Sequence, residues 1–249
     1  GRGYVLRRIL RRALRYGKKI GIGVASSLKN IGFGHGATET AGALAEMMED
    51  GSFRIRVGMT DFGQGAFSAM AQLAAHELGV NYHQVKVEYA DTSVSPETGP
   101  TTASRQTYLT GNAVVLAARE LKGKILEQVS EELNIPVEEL DLQQGMVVIQ
   151  PTGEKYELSS LSEHITAHGF YHAPLTVPFT EEVSPGVPDR KHSRPTHFTY
   201  GYGTHVAILE VDEKTGKVKV HTIIAAHDVG KAINPKIIRG QIEGGVVMG

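Results

Sequence analysis

Residues 104–134 form a stretch free of proline, and what they fold into limits the rest of the chain. Leu109, Val114, Leu116, Ala117, Leu121, Ile125 and Val129 recur there at helical spacing, which predicts one long helix, with Gly111 and Gly123 as places where it bends. Asn134-Ile135-Pro136 ends it, because a residue ahead of proline is pushed out of the helical region. The surrounding text reads as shorter pieces. Residues 41–48 and 53–59 flank Asp50-Gly51, a dipeptide that favours a tight hairpin turn. Residues 204–211 and 217–226 flank a second turn, 212–216. A helix is expected over 65–78, where Phe67, Met70, Ala74 and Leu78 share a face; a strand over 85–89; and another helix starting at Pro235. Residues 137–169 read as an insertion, a hairpin around 150–153 followed by a short helix over 161–167. The five prolines between 174 and 195 predict a long surface loop. The fold class that follows is α+β: a mixed sheet of largely antiparallel hairpins packed against two main helices.

Composition excludes several functions. There is no cysteine, so the chain offers no thiolate to an iron-sulfur cluster or a zinc knuckle, which also suits a cytoplasmic protein. The longest purely apolar run covers only residues 113–118, well short of the ~20 needed to span a membrane. The net charge of -1 conceals an asymmetry: residues 1–19 carry six arginines and two lysines and no acid. Val5, Leu6, Ile9, Leu10, Ala13 and Leu14 face one side of that segment and Arg7, Arg8, Arg11, Arg12 and Arg15 the other, which predicts a basic amphipathic helix over 3–19. It divides the chain into 1–19, foreign to the remainder, and a domain of 20–249.

Three turns combine glycine, glutamine and a helix start. Gly58 to Gly65 ends a strand and opens a helix, where close backbone approach and the unpaired amides of a first turn favour an anion. Within it Gln64 both donates and accepts, and Asp61 reads as a turn-stabilising carboxylate. At the start of the long helix stand Ala103, Ser104, Arg105 and Gln106, with Ser104 expected to cap it and Arg105 to meet phosphate oxygens as a fork. The third turn carries Gln241 between Gly240 and Gly244. Together they point to one polar, pyrophosphate-bearing ligand held mainly by neutral donors.

Those same strings carry a resemblance. Ala41-Gly42-Ala43-Leu44, Asp50-Gly51-Ser52, Phe62-Gly63-Gln64-Gly65, Ala103-Ser104-Arg105-Gln106, Gly111-Asn112-Ala113, and Asp228-Val229-Gly230 leading to Gly240-Gln241 make residues 20–249 similar to the molybdenum-cofactor-binding subunit of the xanthine dehydrogenase and aldehyde oxidase family, in its second molybdopterin-binding region. The resemblance implies a molybdenum-molybdopterin cofactor, with a cytosine dinucleotide form among its variants. Gln64 would bond an oxo ligand of the metal; Phe62, Gly63 and Gly65 would line the pterin and phosphate; Ala103 to Gln106 would hold the phosphate end; Gln241 would touch the pterin. The resemblance also implies that the metal would be held by the cofactor's own sulfurs and by no protein side chain. The implied activity is hydroxylation of a purine, another N-heterocycle or an aldehyde with oxygen from water, electrons passing to iron-sulfur clusters and FAD on partner subunits. The family's general-base glutamate falls beyond Gly249, so no catalytic residue is assigned and the isolated chain is expected to be inactive.

Other readings compete. GRGYVLRRILRRALRYGKK resembles a segment of the tRNA-recognition region of alanyl-tRNA synthetases, which makes RNA binding through residues 1–19 the alternative function. His164, His168 and His172 would share a helix face, but Gly169 interrupts that helix and a zinc site is disfavoured. Ser26-x-x-Lys29 and Lys214-Thr215-Gly216 imitate pieces of serine acyl-transferases without the intervening Ser-x-Asn element.

Overall fold

A computed structural model describes residues 18–34, 36–89, 91–161, 163–177 and 196–249, which divide into one unit of residues 31–199 and another that joins 18–30 to 200–249. The basic segment of residues 1–17 and most of the proline-rich loop, residues 178–195, lie outside the described residues.

The larger unit is built on a sheet of four strands, ordered β4-β3-β2-β8, with β2 at Thr40–Met47, β3 at Phe53–Val57, β4 at Val85–Tyr89 and β8 at Ile165–His172. β2 pairs antiparallel with β3 and with β8. The β2–β3 turn is set by Asp50, whose carboxylate accepts the Ser52 N–H at 2.9 Å, and by Gly51 at φ 76°. β3 and β4 run parallel, a pairing that needs a crossover, and α1 (Ala66–Leu78) provides it. α2 (Gln106–Leu133) then lies along the same sheet face. The core between them is small-residue rich: Ala41, Ala43, Ala45 and Met47 of β2 meet Met70, Ala74 and Leu78 of α1 and Leu109, Ala113, Ala117 and Leu121 of α2. Glycine serves close approach here. A Cβ at Gly111 would stand 3.1 Å from Leu73, and one at Gly169 would stand 2.0 Å from the Ala113 carbonyl oxygen. Beyond Asn134, which caps α2 in the left-handed conformation (φ 52°), β5 (Leu140–Gln143), β6 (Met146–Ile149) and β7 (Lys155–Glu157) make a small antiparallel sheet.

The smaller unit is a sheet ordered β1-β9-β10, from β1 (Lys18–Ile31), β9 (Thr199–Asp212) and β10 (Val218–Asp228), followed by α3 (Pro235–Met248). β9 and β10 form the expected antiparallel hairpin, and Asp212 accepts N–H bonds from Lys214 and Thr215 in its turn. Among the described residues no helix is long and apolar enough to cross a membrane.

The α+β expectation holds, with three corrections. The helix expected over 161–167 is instead the approach to β8 and its first residues, where Ile165, Ala167 and Gly169 are buried alternately and the β-branched and aromatic residues favour the pleat. The three histidines recur every four residues, a spacing that fits both a helix face and a strand face. On a strand His168 and His172 are separated by ~13 Å, too far to share a metal. Finally, Lys18 and Lys19 open β1 rather than closing a helix.

Candidate functional site

β3 delivers the chain into residues 58–65, and Gly65, in the left-handed region at φ 80°, starts α1 without a side-chain cap of its own. Asp61 takes that part: its carboxylate accepts N–H bonds from Gly63 at 2.9 Å, Gly65 at 3.3 Å and Phe67 at 3.0 Å. Burial pushes this carboxyl upward, but the N–H groups of Phe67, Gly63, Gly65 and Ala66 together outweigh it and hold the group below its ordinary value. Gln64 folds back on the same loop, accepting the Phe62 N–H at 2.8 Å and donating to the Thr60 carbonyl at 3.1 Å. Half of the amide's capacity is thereby spent, leaving one N–H and one lone pair. Phe62 is 72% exposed, and the space beside Gly63 (φ 110°) is open.

Facing this loop is the entry to α2. The Thr60 N–H donates to Thr101 Oγ1 at 2.9 Å and ties the two turns together. Ala103 and Ser104 both adopt positive φ, 50° and 55°. For residues with a Cβ each such conformation costs of order 1–3 kcal/mol and persists only where the surroundings impose it. Ser104 therefore does not cap the helix as expected: the cap position falls to Arg105, with no side-chain cap bond.

Arg105 departs further from its expected role. Its side chain is 3% exposed; Nε pairs with Glu39 Oε2 at 2.6 Å, Nη1 donates to the carbonyls of Thr98 (2.7 Å) and Pro100 (3.0 Å), and Nη2 to that of Thr40 (3.3 Å). The fork expected to meet a phosphate is already engaged by the protein. Gln106 is spent likewise, its Nε2 donating to the carbonyls of Gly99 and Pro100, both at 3.1 Å, and its Oε1 accepting the Thr110 hydroxyl. Both side chains shape the turn.

What remains free is backbone. The first intrahelical bond of α2 runs from Leu109 to the Arg105 carbonyl, so the N–H groups of Gln106, Thr107 and Tyr108 have no acceptor among the described residues. Residues 101–107 and Phe62, Gln64 and Ala66 enclose a cleft of about 300 Å³, onto which the first turns of α1 and α2 both open, neither carrying an acidic residue. Asp61 already occupies the N-terminus of α1, so the anion site is the N-terminus of α2, whose first turn carries no carboxylate. A larger cavity, about 640 Å³, is lined by Arg54, Lys86, Glu88 and His164 among others, but its arginine is already paired with Glu46 at 2.8 Å and Lys86 with Glu88 at 3.2 Å. Donors without acceptors, rather than volume, single out the smaller cleft.

Phe62, Gln64 and Ala103 to Gln106 are thus brought together, with Gly63 and Gly65 in the same loop. Gln241 is exposed in the second turn of α3, in the other unit. Sequence reasoning missed Glu39 and Thr107. Glu39 had no local signal, since its partner stands 66 positions away. Among the described residues no three histidines or acids gather to hold a metal.

A family model described as a molybdopterin cofactor-binding domain matches residues 3–249. The carbon monoxide dehydrogenase large chain of Hydrogenophaga pseudoflava is 32% identical over 199 residues, 80% of this chain and 24% of that one. The putative xanthine dehydrogenase molybdenum-binding subunit of Escherichia coli (strain K12) is 31% identical over 230 residues, 92% of this chain and 29% of that one. Among solved structures, a Cu,Mo-CO dehydrogenase superposes with a TM-score of 0.74 at 23% identity, over 98% of this chain and 31% of that one, a likeness of fold. The chain spans between 24% and 29% of the length of these two curated relatives.

Proposed function

We propose, because this chain belongs to the molybdopterin cofactor-binding domain family, that the cleft between the first turns of α1 and α2 seats the phosphate end of a molybdenum-molybdopterin cofactor. The observation that carries this reading is the set of N–H groups on Gln106, Thr107 and Tyr108 that have no acceptor among the described residues, behind the strained Ala103–Ser104 turn. The donor set fits the group: backbone amides and helix dipoles receive a phosphate without a side-chain cation. Gln64 keeps one N–H for an oxo ligand, and Phe62 and Gly63 offer an exposed ring and open backbone to the pterin, with Gly65 in the same loop. Arg105 and Gln106 act by holding the turn, with their side chains directed inward.

When bound, the group supplies the hydroxylation chemistry of molybdenum hydroxylases, on a purine, another N-heterocycle or an aldehyde, with water as the oxygen source. This chain's own part is to bind and orient it. Iron-sulfur and FAD subunits are the partners this reading requires, the cytoplasm is its setting, and it covers both the mononucleotide and the cytosine dinucleotide form of the cofactor. The RNA-binding alternative for residues 1–19 draws no support from the reported matches, which are oxidoreductase chains.

The test is expression in a host that makes the cofactor, with molybdenum measured by elemental analysis and the pterin by fluorescence of its oxidised product. Both should copurify with the chain, and Gln64→Ala and Ser104→Ala should lower both while the far-ultraviolet circular dichroism stays unchanged. Wild-type chain carrying neither would overturn the reading.

A further inference from the structure

We infer that the buried Glu39–Arg105 pair is the positioning device of this cleft: it holds Ala103 and Ser104 in their left-handed conformations and so aims the free amides of α2 at the ligand. The inference rests on the proposed reading of the cleft for its ligand, but its conformational content stands by itself.

One carboxylate makes both contacts. Glu39 Oε1 accepts the Phe33 N–H, and Oε2 accepts from Arg105 Nε at 2.6 Å. Next to Phe33, the Gly32 N–H donates to the Ala103 carbonyl at 3.0 Å. Glu39 thus fixes both flanks of Ser104, Ala103 through the Gly32–Phe33 backbone and Arg105 directly. Arg105 extends the hold to Thr98 and Pro100, whose carbonyls it binds, while a Cβ at Gly99 (φ 65°) would stand 2.8 Å from Nη1, so the loop passes tightly over the guanidinium. Phe33 closes the other side, its ring centre 5.5 Å from the guanidinium carbon. The side chains of Glu39 and Arg105 are 2% and 3% exposed. A buried ion pair is weak evidence for stability, because desolvation offsets much of the attraction; its geometric content is the stronger claim. Two consecutive residues with side chains at positive φ need an external constraint, and this network supplies one that a lysine, with a single nitrogen, cannot reproduce.

The experiment uses the full chain and two readouts. Backbone NMR shifts of Ala103 and Ser104 report their φ, and inorganic pyrophosphate titrated against the amides of residues 103–108 reports the cleft. Arg105→Lys and Glu39→Gln are expected to lose the left-handed signature at Ala103 and Ser104 and to weaken pyrophosphate binding by about 10- to 100-fold, the range typical for groups that orient a binding shell. Ala103→Gly in the Arg105→Lys background should restore most of the affinity, since glycine takes positive φ freely. A pair that only stabilised the fold would lower the melting temperature and leave both readouts and the rescue unmoved, which overturns the inference. If wild-type chain ignores pyrophosphate while the signature still depends on the pair, the positioning stands and the cofactor reading of the cleft fails. If both single variants fail to fold, recovery of folding in the Ala103→Gly double variant supports the inference and continued unfolding overturns it.

Discussion

Replacing Gly169 with alanine tests how α2 is held against the sheet. The new Cβ would stand 2.0 Å from the Ala113 carbonyl oxygen, 2.5 Å from the Ala117 nitrogen and 2.9 Å from the Ala117 Cβ. Two of these atoms are backbone, so no rotamer change relieves the overlap. Real Cβ atoms do not approach within 3.0 Å, and α2 must therefore retreat from β8 by about 1 Å around Ala113–Ala117. Leu109, Ala113, Ala117 and Leu121 are fully buried on that side and lose contact as the helix lifts. Overpacking of this kind costs ~1–3 kcal/mol, and because rigid backbone takes the clash we expect the upper end. Gly169 is not among the glycines at positive φ, so the penalty is steric alone. Urea unfolding followed by circular dichroism should show a lower midpoint at unchanged slope. A midpoint equal to that of the wild type would refute the packing argument, and with it the claim that small residues set the helix-to-sheet distance.

Other outcomes follow from the same structure. Asp61→Ala should destabilise the chain by ~0.5–2 kcal/mol, the usual cost of losing a helix cap. Because the folded carboxyl lies below its ordinary value, its contribution is present above the unfolded pKa and lost as pH falls through the folded one; the gap between wild type and variant, measured by urea midpoints, should close in acid. Glu46, 3% exposed, is met by Arg54 at 2.8 Å, Arg56 at 3.0 Å and His164 at 3.2 Å. Its replacement by alanine should cost near the lower end of ~3–5 kcal/mol in thermal unfolding, since Glu88 still pairs with both arginines; a loss below 1 kcal/mol would contradict the network. Burial foremost, then the Tyr171 hydroxyl, pushes Tyr108 up to about 12. Its stabilising protonated form is therefore intact below pH ~10 and lost as pH rises through the folded value, and Tyr108→Phe should delete a late component from the ultraviolet tyrosinate titration rather than one near pH 10.

The parts of the fold legible in the sequence are those whose cause is local. Asp50-Gly51 and the 212–216 turn carry their own backbone preferences, and both hairpins formed. Met70, Ala74 and Leu78, and Leu109, Val114, Ala117, Leu121, Ile125 and Val129, encode a buried helix face by spacing, whereas Leu116, expected on that face, is 40% exposed. β8 was misread because its histidine period suits either element, and the alternating burial that decides it depends on β2 lying alongside. Gly169 looked like a helix breaker; its actual constraint, the backbone of α2, is remote in sequence. The cleft shows the same division. Glycine, glutamine and helix starts located Phe62 to Gly65 and Ala103 to Gln106, but the role of Arg105 was inverted by Glu39, a partner no local pattern reveals. Charge in a sequence says that a counter-charge is needed, not whether ligand or protein supplies it.

The central claim, that the amides opening α2 receive the cofactor's phosphate, is tested most directly by hydrogen–deuterium exchange on cofactor-loaded and cofactor-free chain. Slowed exchange confined to peptides covering residues 62–67 and 103–108 is the expected result. Loaded chain that exchanges there as fast as free chain, with protection appearing elsewhere, would contradict it.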